Sequence, residues 1–398
     1  MIHYFNPGHE TAVLNKSKYY MAPANVIAMQ KELSFLSAWH ASPSDYILIE
    51  NKLPDDFKAF IQANLGDIPQ GVTKQYISEN QEIFRGQGIA LWGQSPQAIH
   101  FFEAISNEAG LDLLLPQWDD SYVALCSRQT AQQCLHFISG QSDKIVQDII
   151  PNFYTSLDDI ENAVKSSNEQ LLAKAPYSSS GRGLLWLPVK VLTRTERQIL
   201  HGHLKKQGSV SLERVLDKQL DFAMEFTSQS GKVEYHGLSL FETNQKGAYI
   251  GNILGSQIII EETITSFINI TLIDEIRALL IQFIKQDIAP VYDGCIGVDM
   301  MVYKEHNEYK FHPCLEINIR NNMGFIALNL SKNILAENSI GNFYIDFDPK
   351  DGSMQEKHNR MKNEYPAIFE DKRLKSGYLS LCPVTESNHY RAYILMQN

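Results

Sequence analysis

From Cys314 to Arg320 apolar and polar residues alternate one for one, Leu315, Ile317 and Ile319 against Glu316, Asn318 and Arg320. A period of two is strand periodicity: it sends successive side chains to opposite faces. One face packs inward. The other carries an acid, an amide and a guanidinium in a row, which on its own is also what a solvated face looks like. Gly297–Tyr303 reads as a second strand, with a polar turn over Lys304–Glu308. With His306 and Asn307 as the two turn residues, 305 pairs with 308 and 304 with 309; Asn tolerates the positive φ such a turn demands. Continuing that ladder sets Asp299 opposite Cys314 and one diagonal step from Glu316, about 7–8 Å between α-carbons. A four-residue loop keeps this parity and a three-residue loop reverses it. Pro313 cannot donate to a ladder and marks an edge or a bulge.

Two carboxylates and an amide oxygen on one face repel unless a cation joins them. Magnesium suits the set: it takes oxygens at about 2.0–2.1 Å and is held by one or two carboxylates plus phosphate and water. The predicted metal ligands are therefore Asp299, Glu316 and Asn318. Arg320, two residues along the same face, is placed to meet phosphate oxygens or developing negative charge.

The whole chain bounds what such a site can serve. Its 398 residues suggest two or three domains, and 44% hydrophobic with 20% charged residues is ordinary for a protein with a sizeable core. A net charge of −11 argues against general nucleic-acid binding, so any phosphate site is built locally. The sequence shows neither a signal-peptide pattern nor an apolar run of membrane-spanning length. Five scattered cysteines without CxxC spacing read as free thiols in a reducing cytoplasm.

Strands and helices alternate through the first third, as in a doubly wound parallel sheet. Ile2–Phe5 reads as a strand, Asn6–Glu10 as a loop, 25–36 as a helix, Tyr46–Glu50 as a strand, 56–64 as a helix and Ile89–Trp92 as a strand. Ser95 with Pro96 caps a helix to about 109. His9 and Glu10 follow the first strand, where open α/β sheets bind ligands; plain turn punctuation is the other reading. Further on, Ser127 caps a helix over 128–138, a strand is predicted near 145–149, and Leu171–Pro176 is a strand carrying Lys174. Thr193 and Glu196 form a capping box. Val210–Val215, 219–227 and 233–241 read as strands, Gly247–Gly255 as a loop, 272–288 as a long helix and 355–373 as a charged helix. Gly377–Val384 and Tyr390–Leu395 are predicted to pair as a closing ribbon.

Tyr177–Leu184 holds the second chemical signal. Ser178, Ser179, Ser180, Gly181, Arg182 and Gly183 offer hydroxyls, small residues and a guanidinium, through which backbone N–H groups can approach an anion. Lys174 just upstream adds a point charge. A surface linker would have no need of the strands on either side.

The two signals together resemble the ATP-grasp superfamily. Lys174-Ala-Pro, Ser178–Gly183, Glu213-Arg-Val215, Asp221 through Glu225, Asp299, Glu316–Arg320 and Asn322-Met-Gly324 carry the resemblance, in the family's order over about 120–330. It implies an α/β ATP-grasp fold preceded by an open α/β, pre-ATP-grasp-like domain, divided as 1–120, a lid subdomain 121–209, a large subdomain 210–335 and a C-terminal extension 336–398. By resemblance, Lys174, Arg182 and the 178–183 loop cover ATP phosphates, Glu213 and Val215 lie at the adenine hinge, and Asp221 meets the ribose. Asp299, Glu316 and Asn318 hold Mg2+, and Arg320 steadies the transferring phosphoryl group, so that Arg320, Lys174 and Arg182 are the catalytic set. His9, Glu10, Asn252 and Asn322 are candidate substrate contacts. Some peptide-forming members carry an arginine two residues before the first metal acid; here Gly297 stands there.

The implied activity is an ATP- and Mg2+-dependent ligase of the cytoplasm. It joins a small-molecule carboxylate to an amine or thiol through an acyl phosphate. Neither nucleic acid nor membrane is a partner, and homo-oligomerisation is left open. A small-molecule kinase and a non-catalytic nucleotide-binding protein are the other classes the sequence allows.

Overall fold

The computed structural model describes residues 1–396 except Ser179, Ser180 and Arg182. It is a mixed α/β chain forming two compact units. The first comprises Met1–Trp118, Ile250–Ile260 and Arg320–Asn398, and the second Asp119–Tyr249 and Glu261–Ile319.

In the first unit a parallel sheet runs in the order Gln70–Val72, Tyr46–Leu48, Ile2–Tyr4, Ile89–Leu91. The helix after the last strand begins as its sequence dictates, Ser95 accepting from the Ala98 N–H and Pro96 at the first helical position. A second, antiparallel set pairs Tyr249–Leu254 with Gly341–Phe347, then Tyr390–Met396, then Tyr378–Ser380. The C-terminal stretch is thus no separate extension. Its residues Leu379, Leu381, Ile394 and Met396 are buried in one core with Phe5, Phe35, Trp39 and Trp92. Trp39 donates its indole N–H to the Leu381 carbonyl at 2.8 Å. The closing ribbon is correspondingly part of a sheet, because Tyr390–Met396 pairs on both edges.

Several local expectations change. Residues 9–15 form a helix, so His9 and Glu10 lie in its first turn instead of a loop. The strand expected near 145–149 is a 3-10 turn, and pairing begins at Asn152–Tyr154. The charged helix stops at Glu364, just before Pro366, and Ile368–Glu370 and Arg373–Ser376 pair around Asp371 and Lys372, both at positive φ. Asn252 lies on a strand, where a loop was expected.

The second unit contains two sheets. The smaller orders Asn152–Tyr154, Val210–Arg214, Leu171–Lys174 and Leu184–Trp186. Ile160, Ala173, Leu200 and Leu212 are buried beneath it. The helix Arg194–Gln207 starts on the expected Thr193–Glu196 capping box and ends at Gly208 in the left-handed region. The other sheet is antiparallel, in the order Glu308–Asn318, Gly294–Glu305, Asp217–Gln229, Lys232–Thr243. Its apolar face buries Phe222, Met224, Val298 and Met300.

Candidate functional site

The long hairpin turns where the sequence says it must. His306 and Asn307 both have positive φ, Glu305 pairs with Glu308 and Lys304 with Tyr309. The expected register holds as far as Met301 opposite His312. There it breaks: Met300 alone faces Pro313, Cys314 and Leu315, and the next pair is Asp299 with Glu316. Asp299 is therefore directly opposite Glu316 and not opposite Cys314. Proline at 313 supplies no N–H, and the strand takes up two additional residues as a bulge. Because two is even, the face is preserved and the acids come closer than the diagonal step predicted.

Pairing defines that face completely. Asn318 lies opposite Gly297, and on the neighbouring strand Asp221, Ala223 and Glu225 lie opposite Met301, Asp299 and Gly297. Directly paired residues share a face, so Asp221, Glu225, Asp299, Glu316 and Asn318 all project to one side. The Asn318 amide donates to Asp299 at 3.1 Å. Glu225 is 1% exposed and accepts from the Ser239 hydroxyl at 3.1 Å. Sequence reasoning did not single out Glu225 as a site residue. Asp221 is held by Lys218 at 2.6 Å and by the Thr243 hydroxyl at 2.8 Å.

Arg128 is the other residue the sequence did not reveal. It opens the helix Arg128–Ser139, and its guanidinium meets Glu316 at 2.8 Å and the Ser178 hydroxyl at 3.4 Å. Its Nε is buried without a partner. A signal was available: a cation in the first turn of a helix opposes the helix dipole and asks for an anion elsewhere.

Lys174 pairs with Glu213, both largely buried. The geometry is a diagonal one, Lys174 lying opposite Ser211 and Leu172 opposite Glu213. Lys174 is thus a buried residue of the smaller sheet. Val215 is about one-third exposed, and with Arg214 it borders a cavity of about 870 Å³ that Lys174 and Asp299 do not line. In the 178–183 loop, a Cβ on Gly183 would collide with the Ser178 side chain, and one on Gly181, at φ +72°, would lie 2.7 Å from the Gly247 carbonyl. Both glycines are required by close approach. Ser179, Ser180 and Arg182 lie outside the described residues.

The first unit gathers a second cluster. Arg320 donates to the Glu10 carboxylate and to the Asn321 carbonyl, the latter at 3.0 Å. Burial by itself would raise the Glu10 carboxyl, but the Arg320 charge, and then His9, hold it below the ordinary carboxylate range. His9 lies against Gly93, where a Cβ would strike the imidazole, and Gly93 is tied to Asn6 by paired bonds of 2.8 and 3.2 Å. The Asn321 N–H donates to the Trp92 carbonyl at 2.8 Å. Asn322 caps the helix Met323–Asn333, its side chain accepting from the Phe325 N–H at 2.9 Å, so it has a structural duty that a ligand contact would have to share. Asn252 is buried on its strand.

The donor set on the hairpin fits a hard cation: carboxylates and an amide oxygen, with a guanidinium already compensating one of the acids. Among the described residues, no three or more His, Cys, Asp or Glu side chains gather as a metal site; the set here is two acids and an amide.

With its N-terminal open parallel sheet and the two sheets of the second unit, the chain has the ATP-grasp fold. Among solved structures it is similar to biotin carboxylase from Campylobacter jejuni in a β,γ-ATP complex, at 11% identity over 100% of this chain and 87% of that one, TM-score 0.51. It is equally similar to the biotin carboxylase domain of Hydrogenobacter thermophilus 2-oxoglutarate carboxylase with MgADP, ADP and bicarbonate, at 9% identity over 100% and 86%, TM-score 0.51. N5-carboxyaminoimidazole synthetase from Staphylococcus aureus with ADP matches at 12% identity over 100% and 93%, TM-score 0.48. No family model matches the sequence, and no curated protein matches it.

Proposed function

We propose that the protein is an ATP- and Mg2+-dependent ligase that joins a small-molecule carboxylate to an amine or thiol. The observation that carries this reading is the single face on which Asp299, Glu316 and Asn318 converge, with Arg128 against Glu316. A solvated sheet edge has no use for a largely buried guanidinium on its acid row. That the solved structures of this fold include complexes with ATP and ADP supports the nucleotide half of the reading.

Asp299, Glu316 and Asn318 would hold Mg2+, which when bound neutralises phosphate oxygens. Lys174, Arg128, Arg182 and the 178–183 backbone would bind the phosphates, and Glu213 and Val215 the adenine. Asp221 would meet the ribose once released from Lys218. A carboxylate oxygen of the substrate attacks the γ-phosphorus, the bond to the β–γ bridging oxygen breaks, and ADP leaves. The amine or thiol then attacks the acyl carbon; the C–O bond breaks, phosphate leaves with the electron pair, and the nucleophile loses its proton. Arg320 would stabilise the charge on the phosphoryl group. His9, Glu10, Asn252 and Asn322 would position the second substrate. The protein supplies orientation and electrostatics.

Hydroxylamine tests the chemistry. An acyl phosphate is intercepted as a hydroxamate, whereas a phosphorylated alcohol is inert. Enzyme turning over ATP, Mg2+ and a pooled carboxylate library should yield hydroxamate, ADP and free phosphate. Arg320→Ala should lower its formation on the order of 10²–10³-fold, the usual loss for a well-placed charge donor. A stable phosphoester without free phosphate would replace the ligase by a kinase at the same nucleotide site.

A further inference from the structure

His312 is a buried histidine that no step above employs. It is 3% exposed, and its Nδ1 has no hydrogen-bond partner. It lies opposite Met301, and therefore on the face that carries Asp299, Glu316 and Asn318. With Arg128, Lys174, Ser211 and Glu213 it lines a small space of about 10 Å³. Burial, and then the Lys174 charge, push the ring's pKa down to about 3, so the imidazole is neutral at working pH. A neutral ring has one N–H and one bare nitrogen, and in the tautomer protonated at Nε2 the unpartnered Nδ1 is a bare acceptor. Leaving such an acceptor buried and unpaired is costly, and every cation near it is turned elsewhere: Lys174 to Glu213, Arg128 to Glu316 and Ser178.

We infer that His312 is a base-specificity residue, its Nδ1 accepting an N–H from the exocyclic 6-amino group of adenine. The inference rests on the nucleotide reading above. Ser211 and Glu213 belong to the strand that ends at the proposed adenine hinge, and both line the same small space as His312. At about 10 Å³ the space is the size of one water, so entry of the 6-amino edge requires the Lys174 side chain to leave Glu213, as its proposed phosphate role also does. A 6-oxo purine would set one acceptor against another, and a 6-unsubstituted purine would leave Nδ1 bare. A site built around a hydrogen bond rejects analogues that lack it.

The test is equilibrium titration, with Mg2+, of ATP, ITP and purine riboside triphosphate into the wild type, His312→Leu and His312→Asn. The wild type should bind ATP about tenfold or more tighter than either analogue, in line with one good buried hydrogen bond. His312→Leu should bring the three within about twofold of one another, while His312→Asn, which sets an amide oxygen near the Nδ1 position, should restore the preference. A preference unchanged in His312→Leu would overturn the inference, and is also what a single buried water on Nδ1 would give. Equal wild-type affinity for ATP and purine riboside triphosphate overturns it without any variant. If the wild type binds none of the three, the nucleotide reading falls and this inference falls with it.

Discussion

At the scale of single residues, the site is a set of opposed charges, and each pair has a separable job. Lys174 and Glu213 are the clearest case. Because both are largely buried, Lys174→Ala should lower stability as well as nucleotide affinity, by on the order of 1–3 kcal/mol for the carboxylate left bare. Chemical denaturation of the apo-protein measures this. The double variant Lys174→Ala with Glu213→Ala should recover most of the stability and none of the affinity, which separates the structural role from the ligand role. Glu10 and Arg320 make a different prediction, in pH. The folded Glu10 carboxyl lies below its ordinary range. Its contribution is therefore complete above the unfolded carboxylate pKa and is lost progressively as pH falls toward the folded value. Glu10→Gln should lower stability by a constant amount across neutral and alkaline pH and flatten the acid limb, so that the variant and the wild type converge as pH falls toward the folded value. An unaltered acid limb would mean that the pair contributes nothing. Arg128 shows where residue-level reading stops: its place in the first turn of a helix asks for an anion, but only the tertiary structure says that the anion is Glu316.

At the scale of elements, the hairpin was legible in parts, for reasons that differ along its length. Alternation and a turn-compatible Asn307 specify two strands and their pairing near the turn. The bulge is a different matter. Pro313 announces that the ladder must fail, but how many residues the strand takes up there depends on what packs around it. The polar face survived only because the number was two. The positive φ of Asn307 gives a direct check on the turn. Asn307→Gly should be neutral or stabilising, and Asn307→Val should destabilise by about 1–2 kcal/mol, the strain of a β-branched residue in the left-handed region. Urea denaturation reads both. Equal stabilities would place the turn elsewhere and with it the register of the metal acids. The misread C-terminal segment is a different case: Pro366, inside the expected 355–373 helix, is a local stop signal that sequence reading passed over, and the turn at Asp371–Lys372 then sends the chain back as a hairpin.

At the scale of the whole molecule, the first unit is assembled from three separate stretches of chain and the second from two. Local periodicity cannot report this, because it depends on which distant strands pair. Gly341–Phe347 pairs with Tyr249–Leu254 on one edge and Tyr390–Met396 on the other, and neither partner is visible from its own sequence. The division does make the proposed division of labour measurable. A ligand that binds only the folded state stabilises what it touches, by about 2.7 kcal/mol at a hundred times its Kd, and amide exchange registers that stabilisation segment by segment. MgATP alone should slow exchange in Leu171–Lys174, Val210–Arg214 and the hairpin Gly294–Asn318, all in the second unit. It should leave the helix His9–Asn15 as it was. A carboxylate found by the hydroxylamine screen, added with a non-hydrolysable ATP analogue, should then extend protection to Asn6–Asn15. If nucleotide alone protects His9–Asn15 and spares the hairpin, the phosphate and substrate assignments are exchanged. If nothing in the hairpin responds to MgATP, Asp299, Glu316 and Asn318 are not its ligands, and the acid row belongs to the fold alone.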